Sequence, residues 1–182
     1  MVLFSSTRNK IILLLLISAL VFTAWQSGAE RVYAQVLIGT TNFFVGMAKE
    51  DTHIELENIS ENDKTYQYRV FTRIGGRKGN YPQETGGVMQ PFVIVLSWQI
   101  FLFFVLKRKS ALTSLVMNVG IFLLIQVVFL VFLTGYYNSG VQKYLYTMML
   151  DSFYIFALIL VIKDQMLYRV FRKKVDGTKS PS

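Results

Sequence analysis

The sequence predicts an integral membrane protein, mainly α-helical, with four transmembrane helices and both termini in the cytoplasm. Two observations predict this. Apolar stretches at 10–28, 87–106, 111–134 and 145–162 are each long enough to cross a bilayer, whose hydrocarbon core of about 30 Å takes roughly 20 helical residues. Basic clusters at Arg8/Lys10, Lys107-Arg108-Lys109 and Arg169 through Lys174 fall on alternate sides of successive stretches. A composition that is 53% hydrophobic and only 16% charged suits the same class.

Counting charges orients the chain. With the amino terminus inside, the cytoplasmic segments hold 11 basic and 2 acidic residues (Asp164 and Asp176), and the exterior holds 8 of each. The net charge of +8 therefore originates on the cytoplasmic side. The bases sit in short clusters at helix ends, so topology and anionic lipid account for them, and no nucleic-acid partner is expected.

The elements follow in order within a single membrane domain, 1–182. The first span (10–28) includes the uncharged run IILLLLISALVFTAW and reads as an uncleaved anchor. A cleaved signal peptide ending before Ala34 is the competing reading, opposed by the long polar region with Glu30 and Arg31. The segment 29–86 is expected outside. In it Val32, Tyr33, Val36, Leu37, Phe44 and Met47 recur at three- and four-residue steps, the pattern of an amphipathic helix.

The period then switches to two. HIELEN (53–58) and TYQYRVFTRI (65–74) read as a β-hairpin, with Tyr66, Tyr68, Val70, Thr72 and Ile74 on one face and ISENDK (59–64) as its turn. GGRKGNYPQETGG (75–87), rich in glycine, reads as a flexible connector. Pro91 suits the first turn of the second span, and the short loop Lys107–Ser110 makes a tight antiparallel pair with the third (111–134). An outer loop of about ten residues from Gly135 leads to the fourth span (145–162), and 163–182 is a basic tail, disordered after Val175.

One acid, Asp151, falls inside a span, where an ionisable residue is a functional hypothesis by default. Six residues from Leu145 place it roughly 9 Å deep, and Gln126 lies near 12 Å by the same rise. Ser97 and Gln99 reach a similar level, and Lys143, Thr147 and Asp151 form an i, i+4, i+8 ladder. These six residues are the candidate polar site. It reads as a pocket open to the outer leaflet, as an interhelical hydrogen bond that fixes packing, or as an acid shallow enough to be wet.

Catalytic signatures are missing from the sequence. The spans hold one acid, so no proton-sharing aspartate pair is available. There is one histidine, His53, which reads as a solvated strand residue, and there is no cysteine. No multi-histidine or thiolate metal site, G-x-S-x-G or P-loop exists, and no catalytic residue, metal or cofactor is expected. Asn58-Ile59-Ser60 matches a glycosylation sequon, a triplet that often arises by chance.

HIELEN, QPFVIVLSW (90–98) and LLIQVVFLVF (123–132), placed in this layout, resemble the small exosortase-associated membrane proteins of bacteria. The resemblance covers most of the chain as topology and about twenty residues as sequence. It implies a non-catalytic accessory subunit of a bacterial envelope export or surface-sorting system. Its partner is a larger integral membrane protein, the exosortase-like enzyme, in the cytoplasmic (inner) membrane. The rival expectation is a small membrane enzyme or carrier that handles a lipid-linked or envelope substrate at the Asp151 pocket.

Overall fold

A computed structural model describes residues 6–48, 51–59, 66–84 and 86–171. Residues 60–64 of the predicted turn, which include the sequon serine, and the tail beyond Phe171 lie outside the described residues. Of the described residues, 73% are helical. Among the described residues, two helical rods are long and apolar enough to cross a membrane, or three if one bent pair counts as a span, consistent with a membrane-embedded protein.

The first rod runs through α1 (Thr7–Ala24), a wide turn at Trp25–Ala29 and α2 (Glu30–Ala48). Gly28 has φ 118°, a conformation that only glycine adopts without strain, so the rod breaks there instead of ending at residue 28. The structure also corrects the face assigned to α2. Ala34, Leu37, Ile38, Thr41 and Val45 are buried, whereas Val32, Val36, Phe44 and Met47 are exposed. Both sides of this helix are apolar, and the side with small residues (Ala34, Thr41) permits the closer approach.

The expected hairpin is a three-stranded antiparallel sheet: β1 (His53–Asn58), β2 (Tyr66–Ile74) and β3 (Arg77–Glu84). The glycine-rich connector is therefore largely strand. Gly75 and Gly76 both have positive φ (56° and 83°), the pair a two-residue hairpin turn requires, and they set Ile74 opposite Arg77. Pro82 is tolerated because β3 is an edge. Tyr68, Val70 and Thr72 are buried in alternation, and burial raises the Tyr68 phenol well above its usual pKa. Asn42 on α2 acts as a further strand against β1. Its Oδ1 accepts from Ile54 N–H and its Nδ2 donates to Ile54 C=O, both at 2.8 Å.

Next come α3 (Pro91–Val105), α4 (Arg108–Thr134), α5 (Gly140–Leu150) and α6 (Phe153–Tyr168). The 15 residues of α3 make a short apolar helix, less than the predicted span. The expected fourth span breaks at Asp151–Ser152, where α5 and α6 meet at 57°. The loop before α5 is correspondingly short, since Ser139 already caps that helix by accepting from Gln142 N–H.

Aromatic rings mark one level of the bundle. Phe92, next to the start of α3, lies 6.0 Å from Trp25, 4.1 Å from Tyr33 and 5.9 Å from Phe122. Phe122 lies 6.2 Å from Phe153 at the start of α6. The Gly28 break, the start of α3 and the α5–α6 break thus lie close to one layer, and α4 passes through it. On one side α4 packs with α3 and α6. On the other it packs with α2, α5 and the sheet.

Candidate functional site

The face of α6 that enters the bundle is Phe153, Ala157, Leu160 and Asp164, a helical stripe whose last member is a carboxylate. On α4 the matching stripe includes Ala111, Ser114, Asn118, Phe122 and Gln126. Where the two stripes meet, Asp164 is 1% exposed. Its Oδ2 accepts from Asn118 Nδ2 (2.6 Å), Ser114 Oγ (2.7 Å), Trp98 Nε1 (3.1 Å) and Gln99 Nε2 (3.1 Å). Four donors from two other helices converge on one oxygen.

Charge accounts for the convergence. A carboxylate only accepts, and charge-assisted bonds to it are the stronger kind. Ser114 has a single hydroxyl proton, and the carboxylate at 2.7 Å competes for it with Gln99 Oε1 at 3.1 Å. Lys163 is the counter-charge, with Nζ 3.3 Å from Asp164 Oδ1. The same Nζ donates to Asn118 Oδ1 at 2.5 Å, joining the amide and the carboxylate in one network. Among the described residues, Asp164 Oδ1 receives no hydrogen bond. Counting back from the ends of α3 and α6 at 1.5 Å per residue, the cluster lies roughly 6–9 Å in from the basic end. Its chemistry is that of a lock on helix register across α3, α4 and α6. Oδ2 is saturated with donors, and Oδ1 faces the Lys163 cation.

The six residues expected to form one site occupy several places. Asp151 is exposed at the α5–α6 break. Gln126 lies at a similar height, since Phe153 contacts both Phe122 and Phe129, but it faces another way. Its Oε1 accepts from Tyr33 O–H, and its Nε2 donates to Val88 C=O at 3.1 Å. Gln126 thus fastens α4 to α2 and to the turn before α3. Gln99 belongs to the Asp164 cluster. Ser97 is buried and, among the described residues, finds no hydrogen-bond partner.

Thr147 donates to the Lys143 carbonyl at 3.0 Å, one turn back on the same exposed ladder. Lys143 lies over the Tyr136 ring at 5.2 Å from its centre. An Asp151–Gln126 pair is therefore not formed: helical rise gives depth along the axis, not the direction in which a side chain points. His53 is exposed, stacks on Phe71 at 4.6 Å and has Nε2 3.4 Å from Glu55 Oε1.

Sequence reasoning missed Asp164, Lys163, Ser114, Asn118 and Trp98. Asp164 lies just past the last hydrophobic run, within the segment that reads as a basic tail. The available signal was the i, i+4, i+7, i+11 continuation of Phe153, Ala157 and Leu160 onto it. Polar residues at a matching distance from the ends of the neighbouring helices were the second half of that signal. Among the described residues, no group of three or more His, Cys, Asp or Glu side chains is placed to hold a metal ion. Comparison with protein-family models, curated proteins and solved structures found no match.

Proposed function

We propose that this chain is a non-catalytic accessory subunit of a bacterial envelope export or surface protein-sorting system of the exosortase kind. In this reading it sits in the cytoplasmic membrane with α1, α3, α4 and the α5–α6 pair as its passages. Both termini are cytoplasmic, and α2 and the sheet face outward. It acts through a larger integral membrane partner. The distribution of Lys and Arg supports the orientation. The resemblance in HIELEN, QPFVIVLSW and LLIQVVFLVF supports the assignment to that system.

The observation that carries the proposal is the Asp164 network. The bundle commits its buried acid, with Ser114, Asn118, Gln99 and Trp98, to holding helices together. An acid held in this way suits a scaffold better than a reaction centre. At the same time α2 presents Val32, Val36, Phe43 and Met47 outward, apolar surface available to a membrane partner. Asp151, the centre of the rival enzyme reading, is exposed at a helix break.

The test is affinity purification of the full chain from its native membrane in mild detergent, followed by mass spectrometry and by assay of surface-protein sorting in a deletion strain. A multi-pass membrane protein recovered in near-equal amount, with sorting lost on deletion and restored by the Asp151→Asn variant, is the expected result. A chain recovered only as a monomer, with Asp151→Asn abolishing function, would sink the proposal and favour the rival.

A further inference from the structure

Four buried side-chain atoms among the described residues lack hydrogen-bond partners: Trp25 Nε1, Ser97 Oγ, Asp164 Oδ1 and Gln165 Oε1. Ser97 and Gln165 share one place. They line a crevice of about 420 Å³ between α1, α3 and α6, whose other walls include Leu14, Ile94, Trp98 and Val161. Its rim residues Leu15 and Ile162 are 65% and 55% exposed, so the crevice opens sideways on the apolar surface of the bundle. In hydrocarbon no water reaches such a wall, and an unpaired polar atom there is costly. Ser97 is 3% exposed, and among the described residues no group pairs with its hydroxyl.

Towards the end of α6 the crevice adjoins a surface hollow lined by Gln165, Met166, Arg169 and Phe171, with Gln165 and Phe171 common to both. Arg169 is exposed and has φ 47°, the only non-glycine residue with positive φ among the described residues. The helix ends there by an Arg169 N–H bond to Gln165 C=O at 2.9 Å. Glycine is the usual residue at such a left-handed cap, and an arginine bears a strain that glycine would relieve. Three chemistries thus follow one another: an apolar slot, two unpaired polar atoms in its wall, and a cation at its mouth.

We infer that this crevice is a binding site for an anionic glycerophospholipid of the leaflet at the basic end of the bundle. One acyl chain lies between α1, α3 and α6. The ester region pairs with the Ser97 hydroxyl and the Gln165 amide, and the phosphate faces the Arg169 guanidinium. Phosphate and guanidinium match in charge and in fork geometry. An ester carbonyl accepts from the Ser97 O–H and, with the Gln165 amide turned so that Nε2 faces the crevice, from that N–H, since an ester has no proton to give Gln165 Oε1.

The crevice carries its own reporter. The chain has two tryptophans, and the Trp25→Phe background leaves Trp98, which lines the crevice, as the single emitter. The full chain in phosphatidylcholine vesicles is titrated with brominated phosphatidylglycerol or, separately, with brominated phosphatidylcholine, and Trp98 quenching is read. Phosphatidylglycerol should compete about fivefold better, the effect of one basic residue facing an anionic lipid.

Arg169→Gly should bring that preference close to one while leaving the melting temperature unchanged or raised, because glycine relieves the backbone. Ser97→Val should reduce quenching by both lipids without changing the preference. Equal quenching by the two lipids in the parent protein would mean ordinary boundary lipid and overturn the assignment. So would an undiminished preference in Arg169→Gly.

Discussion

Replacing Asp164 by alanine strands the Trp98, Gln99, Ser114 and Asn118 donors together and leaves the Lys163 cation without its counter-charge. Breaking a buried charged network by removing one member costs on the order of 3 kcal/mol. In a chain of this size, that should lower the melting temperature in mild detergent by about 6–12 °C. Asp164→Asn keeps an acceptor oxygen at the same place and should lose only about 1 kcal/mol. Asp151→Asn, at an exposed position, should stay within about 0.5 kcal/mol of the parent. If Asp164→Ala melted with the parent protein, the register lock would be refuted. An acid inside the apolar run is easy to see in a sequence, and one just beyond its end is not. Here the conspicuous acid is exposed and the inconspicuous one is buried.

Two changes of direction in this molecule, at Gly28 and at Gly75-Gly76, use glycine in a positive-φ conformation. Gly28→Ala forces a Cβ into φ 118° with no neighbouring atom in the way, so its cost is backbone strain alone. About 1–3 kcal/mol should be lost, read as a lower melting temperature. A straightened α1–α2 rod would instead weaken the Tyr33–Gln126 and Asn42–Ile54 contacts, read as faster exchange of the Ile54 amide.

The sheet adds a pH dependence. Bonds from Lys78 and Arg73 hold the Asp51 carboxyl below its ordinary 3.8, and bonds from Arg69 and Gln67 hold Glu57 below 4.5. Both folded values are depressed, so the stabilisation is complete above the ordinary values and is lost as pH falls through the folded ones. Melts at pH 7, 5 and 3 should therefore show a fall at the acid end that is smaller in Asp51→Asn and Glu57→Gln. A parallel fall in all three proteins would place the acid sensitivity elsewhere.

For the whole molecule, the proposed orientation puts the α3–α4 connection at Leu106–Lys107 on the cytoplasmic side and the sheet outside. Reporter fusions after Lys109 and after Gly86 should give cytoplasmic and exoplasmic signals respectively. Identical signals from the two would overturn the four-passage arrangement.

The apolar stretches, the tight turn at Lys107 and the alternation of Tyr68, Val70 and Thr72 were legible in the sequence because each is a local pattern. Period and run length come from neighbouring residues alone. The third strand was partly concealed by its glycines, although Gly75-Gly76 before an alternating segment is a hairpin signal. What only the tertiary structure decided is direction around each helix axis. It separates Asp151 from Gln126, turns the Ala34–Leu37–Thr41 side of α2 inward and brings Asp164 to Ser114 and Asn118. The reason is physical: when the surroundings of a helix are hydrocarbon, its outer face is as apolar as its inner face. Hydrophobic periodicity then no longer says which side is inside, and that choice falls to small residues and polar pairs that meet only after the helices have packed.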